Sequence, residues 1–176
     1  MKVVKRKTEW TYRGVLFGGI PDKRVVEENP VAGASAFTVE VCFRPDAGGE
    51  AEQRFLHIQG DDGSRALLEL RSGEAGWYGD VFVQLEAGNR FLNDPALVHP
   101  FGHWYTMALV YTGKELRQYV NGVLELAGAA PRGMIGPGRT SIGARLNDIS
   151  PFTGEIAQIR FTLEALEAAS LMLPDE

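Results

Sequence analysis

Between Phe37 and Arg44 apolar and polar residues alternate without a break. Phe37, Val39, Val41 and Phe43 fall on one side; Thr38, Glu40, Cys42 and Arg44 fall on the other. A period of two is the signature of a strand, because successive side chains of extended backbone point to opposite faces. Pro45 lacks the N–H that a ladder needs and stops the run. The pattern therefore predicts a half-buried strand over 37–45. Comparable segments recur as RFLHIQ, RALLELR, DVFVQLEA, WYTMALVYT, RTSIGARL and EIAQIRFT, and the turn sequences GDDGS, EAGN, TGK and NG separate most of them.

One of those turns fixes a register. Asn121-Gly122 lies between LRQYV and VLELA, and Asn followed by Gly supplies the two positive φ angles of a type I′ turn at least steric cost. Val120 then faces Val123, and Tyr119 faces Leu124. Neither side of this hairpin is uniformly apolar, so its inner face stays unassigned. Trp104 to Tyr111, apolar at nearly every position, reads as a central strand covered on both faces. Residues 127–139, rich in Gly and Pro, read as a crossing loop. In LEALEAASLM, Leu163, Leu166 and Met172 are spaced at helical intervals, with Pro174 ending the segment.

Many short strands, frequent turns and one terminal helix predict an all-β sandwich or barrel. The 21 glycines and 9 prolines of the chain agree with that reading. Residues 1–176 read as one domain, with 1–13 as a terminal extension or an edge strand. Its 176 residues are enough for about 68–70% of the unfolded surface to be buried without disulfides or metals. Cys42 is the single cysteine, which excludes an internal disulfide and a thiolate zinc cluster and suggests a small buried apolar residue. The formal charge of −5 argues against an extended nucleic-acid surface, and the one dense basic run, Lys5 to Lys7, reads as a solvated terminus. No apolar run approaches membrane-spanning length, and the first residues are too polar for a signal peptide. As written, the chain reads as soluble and cytoplasmic, or as extracellular if a signal has been removed.

The segment FTVEVCFRP, the tryptophan strand and hairpin HWYTMALVYTGKELRQYVNGVLELA, and the closing FTGEIAQIRFTLEALEAASL follow one another as in a known family. VLFGG, 15–19, is similar to the family's opening strand. The chain resembles the laminin G-like modules of the concanavalin A-like lectin and glucanase superfamily. That resemblance implies an antiparallel two-sheet jelly-roll sandwich whose concave face and rim loops bind sugars or proteins, often with a calcium ion at the rim.

Superfamily members that hydrolyse glucans carry acidic residues alternating along one strand, since acid and nucleophile must flank one glycosidic bond. Glu69, Glu125 and Glu155 each stand without an acidic neighbour two positions away. RALLELR resembles the arginine-glutamate-arginine strand of alginate lyases, a chemistry that also needs a Gln/His pair and a Tyr. Here Arg160 stands where such a motif has His, and His57-Ile58-Gln59 runs in reverse order. No catalytic residue is assigned, and Glu40, Glu69 and Glu86 are retained as carboxylates for an enzyme on the same fold. His57 reads as a structural histidine or one facing the concavity, and His103 as packing at the end of a loop. For calcium, which prefers several oxygen ligands, the turn clusters Asp61-Asp62 and Asn147-Asp148 are the candidates; the turns' own hydrogen bonding is the favoured explanation of each, with calcium as the alternative. No cofactor is required. In GEAGWYGD, Trp77 and Tyr78 lie between glycines. They read either as rings displayed for stacking on a sugar or as rings folded back onto the core. The expectation is a non-catalytic module binding carbohydrate or a protein surface; the alternative is a glycoside hydrolase or polysaccharide lyase.

Overall fold

The computed structural model describes residues 2–5, 9–18 and 22–174, and for 2–5, 14–16 and 18 it describes the backbone. Gly19 of the opening-strand motif, and Arg6 and Lys7 of the basic run, lie outside the described residues. The strands in chain order are β1 (Lys2–Lys5), β2 (Glu9–Gly18), β3 (Arg24–Val26), β4 (Phe37–Pro45), β5 (Glu52–Gly60), β6 (Arg65–Gly73) and β7 (Gly76–Leu85). They continue with β8 (Gly88–Asn93), β9 (Tyr105–Tyr111), β10 (Glu115–Val120), β11 (Val123–Ala129), β12 (Gly138–Ile142) and β13 (Thr153–Thr162). Among the described residues these strands pair antiparallel throughout, with one isolated parallel bridge between Arg54 and Pro151. One sheet has the order β1-β2-β13-β4-β9-β10-β11, the other β3-β12-β5-β6-β7-β8. This is the two-sheet sandwich the resemblance implies and one of the two all-β forms the strand pattern allows, and β1 is an edge strand.

The core lies between the sheets. Phe37, Val39, Val41 and Phe43 of β4 are all fully buried there, with Leu56 and Ile58 of β5, Leu68 and Leu70 of β6, and Val81 and Val83 of β7. Phe43 is the hub of an aromatic cluster, its ring centroid 4.7 Å from Phe55, 5.2 Å from Trp77 and 6.1 Å from Phe152. The Asn121-Gly122 turn has φ of 49° and 75° and pairs Val120 with Val123 and Tyr119 with Leu124, as the turn chemistry dictates. The unassigned hairpin face resolves with Leu116 and Val120 in the core and Gln118 buried beside Gly79. The 127–139 segment does cross, carrying the chain from β11 in one sheet to β12 in the other.

Three local expectations change. β4 is buried on both faces along its first half, because Glu40 is sealed by Arg160 (2.5 and 2.9 Å) and Thr38 by the segment after β13. That segment is not the helix its spacing suggests: within it, among the described residues, the one helical piece is a 3-10 turn at Ala168–Ser170. Its backbone groups are bound by sheet side chains instead. Thr38 Oγ1 donates to Glu164 O and accepts from Leu166 N–H, and Glu40 Oε1 accepts from Met172 N–H at 2.6 Å. Leu166 and Leu171 thereby cover Ala108, Val110 and Tyr119, which explains why β9 is apolar on both sides. Third, β12 ends at Ile142 rather than running to Leu146, because Gly143 has φ of 87° and turns the chain. Cys42 is half-buried, and among the described residues no helix is long and apolar enough to cross a membrane.

Candidate functional site

The strand register determines which side chains share the outer face of the six-stranded sheet. On β6 the inward set is Ala66, Leu68 and Leu70, so Arg65, Leu67, Glu69 and Arg71 point outward. Register then lays rows across the sheet. Leu67 pairs with His57 on one side and Phe82 on the other, and Phe82 pairs with Phe91. One flanking row is Gln59, Arg65, Gln84 and Asn89; the other is Arg54, Glu69, Asp80 and Asn93. An apolar band thus runs between two polar ones. A depression of about 360 Å³ opens here, and the loop after Gly143 adds Arg145 to its wall.

A bulge makes this face possible. Strict alternation along β5 would put Arg54 on the side of Leu56 and Ile58, in the core. The register shifts between Arg54 and Leu56, so Phe55 and Leu56 both face inward and Arg54 joins His57 outside.

The polar groups of the depression form a graded network. Glu69 is only 2% exposed, and burial pushes its carboxyl up to about 7, against the opposing pull of Arg54 and with help from Asp80 opposite. Arg54 Nε lies 3.1 Å from Glu69 Oε2, yet neither atom has a well-directed hydrogen bond. Arg54 also binds Glu52 and Ser150. Arg71 donates from Nε to Asp80 Oδ2 at 2.7 Å and pairs with Glu52. His57 accepts the Leu146 N–H at Nδ1 (3.2 Å), leaving Nε2 to donate to Gln59 Oε1 (3.1 Å). Both nitrogens are satisfied in the neutral form, and burial, reinforced by Arg145, Arg65 and Arg54, lowers its pKa to about 4. His57 therefore fulfils both readings, facing the depression and being structurally held. Arg65 lies over the Phe82 ring at 5.3 Å.

Trp77 is not displayed. It is 0% exposed, points into the sandwich, and packs on Phe43, His99 and Tyr105. Glycines around an aromatic proved compatible with close packing: the Gly76 position is crowded by the His99 backbone. Tyr78, next along β7, is half-buried on the outer face opposite Arg71. The two calcium candidates do not meet. Asp61-Asp62 follow Gly60 at the end of β5 that pairs with Gly138, whereas the loop carrying Asn147-Asp148 is tied to the middle and the other end of β5, with Leu146 N–H on His57 and Pro151 beside Arg54. Asp62 is occupied by the Ser64 N–H and hydroxyl, Asp61 is exposed with its N–H on Pro137 O, Asn147 is exposed, and Asp148 pairs with Lys23. Among the described residues no group of three His, Cys, Asp or Glu side chains could hold a metal ion.

Of the three retained carboxylates, Glu40 is on the opposite sheet and bound to Arg160, and Glu86 is exposed on a shallow rim hollow of about 740 Å³ beside Gly133 and Met134. Only Glu69 is in the depression. Its partner Asp80 was missed because the two are adjacent across strands, not along one. His103 is exposed rather than packed. Phe91 and Arg145 were also missed: β8 is short and polar, and Arg145 reads as strand until Gly143 is seen to break it. The misfit of Arg54 with the RFLHIQ alternation was the one visible hint.

Residues 20–172 match a laminin G-like family model described as the concanavalin A-like lectin/glucanases superfamily, and the chain belongs to that superfamily. A heptameric SAP-like pentraxin from Limulus polyphemus superposes with a TM-score of 0.68 at 17% identity, covering 94% of this chain and 80% of that one. Domain 4 of the extracellular arabinanase AbnA from Geobacillus stearothermophilus, in complex with arabinotriose, gives 0.62 at 17%, covering 87% and 72%. Mouse laminin alpha1 domains LG4-5 give 0.63 at 14%, covering 87% of this chain and 42% of that one. At these identities the likeness speaks for the fold. A search of curated proteins in sequence gave no significant match.

Proposed function

We propose that the chain is a carbohydrate-binding module whose ligand lies across the outer face of the six-stranded sheet. The observation that carries this reading is Phe91, 60% exposed on the apolar band beside Phe82, with polar rows on both sides. A flat ring suits the C–H face of a sugar, and flanking Gln, Asn and Arg groups suit its hydroxyls. That the arabinanase domain is complexed with arabinotriose is consistent with saccharide binding on this fold. Titration calorimetry against a panel of oligosaccharides should find a ligand whose affinity drops about five- to tenfold in Phe91→Ala, one aromatic contact being worth about 1–1.4 kcal/mol. Unchanged affinity in that variant would move the site elsewhere.

A polysaccharide-cleaving activity is the second reading, favoured by one observation: Glu69 stands directly opposite Asp80, in a depression, with its carboxyl raised to about 7. Against it, Asp80 is engaged by Arg71 and Glu69 lies beside Arg54. Reducing-sugar release or a new unsaturated product, abolished in Glu69→Gln, would replace the binding reading.

A further inference from the structure

The depression holds more positive charge than it neutralises. Four arginines line it against two carboxylates. Arg71 is taken up by Asp80 and Glu52, and Arg54 by Glu52, Ser150 and Glu69. Arg65 and Arg145 remain: among the described residues neither has a carboxylate within ion-pair distance, and the Nε of each is buried without a hydrogen-bond partner. A buried guanidinium N–H without an acceptor is costly, and one lining a cleft that opens to solvent invites an anion. Resting on the saccharide reading above, we infer that the ligand is an acidic saccharide whose carboxylate or sulfate ester is received by Arg65 and Arg145, while a neighbouring ring stacks on Phe91. The planar guanidinium fork matches either acid bidentately, and both arginines are half-exposed, so an acid can reach them from solvent. Arg145 is held below the usual arginine range by burial and by Arg54, which is the strain an incoming anion would relieve.

The test is calorimetry on the full chain with an oligogalacturonate, a sulfated oligosaccharide, a neutral oligosaccharide of equal length, and sodium sulfate alone. The expected result is that an acidic oligosaccharide binds roughly 10- to 100-fold tighter than the neutral one, and that Arg145→Met and Arg65→Met each abolish most of that preference. Whichever acidic ligand binds better identifies the acid. The wild-type protein supplies a check that needs no variant: added sodium chloride should weaken the acidic ligand and leave the neutral one unaffected. Equal affinity for neutral and acidic ligands, unchanged in Arg145→Met but reduced in Phe91→Ala, would overturn the acid preference and keep the saccharide site. Sodium sulfate binding as tightly as the saccharides would also overturn it. If no saccharide binds, or if one binds and Phe91→Ala leaves its affinity unchanged, the groove reading itself fails.

Discussion

Glu69 and His57 lie on one face of adjacent strands and respond to pH in opposite senses. Glu69, raised from 4.5 to about 7, holds its proton longer folded than unfolded, so it favours the folded state at low pH and this contribution is lost as pH rises through that window. The full effect is on the order of 3 kcal/mol. His57, lowered from 6.5 to about 4, does the reverse: the unfolded chain takes up its proton first, and stability falls as pH drops from 6.5 toward 4. Between about 4.5 and 6.5 the two trends offset each other. Urea unfolding across this range should therefore show a shallow profile for the native sequence, a stability that climbs with pH in Glu69→Gln, and one that declines with pH in His57→Gln. Three parallel profiles would show that neither group is buried as described.

At the scale of elements, what was legible in the chain was whatever depends on neighbours two to four residues away. The alternation at Phe37–Phe43 and the Asn121-Gly122 turn needed nothing beyond local geometry, and both took the conformation they imply. The segment after β13 did not, because its helical spacing competes with hydrogen bonds from Thr38 and Glu40, more than a hundred residues earlier. Trp77 failed for a related reason: which face of β7 is inward depends on the sheet it meets. Its burial makes a quantitative prediction. Trp77→Ala should cost about 3–5 kcal/mol in urea unfolding, as for other large aromatics removed from a core. Tyr78→Ala, on the outer face, should cost far less; equal costs would mean that the register of β7 is misread.

For the whole molecule, the resemblance gave the architecture correctly, yet the groove was invisible, since Glu69, Asp80, Phe91 and Arg145 come from three strands and a loop and meet only through register. The same topology keeps the two acidic turns apart, one following Gly60 at the end of β5 and the other in a loop tied to His57 and Arg54. Calcium added to chelator-treated protein should accordingly leave the melting temperature unchanged, and a rise of several degrees would reveal a site built from other ligands.

The position of β13 has a consequence for how the chain acquires its shape. It is hydrogen-bonded between β2 and β4, so the seven-stranded sheet is completed by a strand that a ribosome delivers after all the others described. Until residues 153–162 emerge, β2 and β4 have an empty berth between them. Closure must then join segments made far apart in time, a route that is slow by topology and leaves nascent β4 in need of shelter.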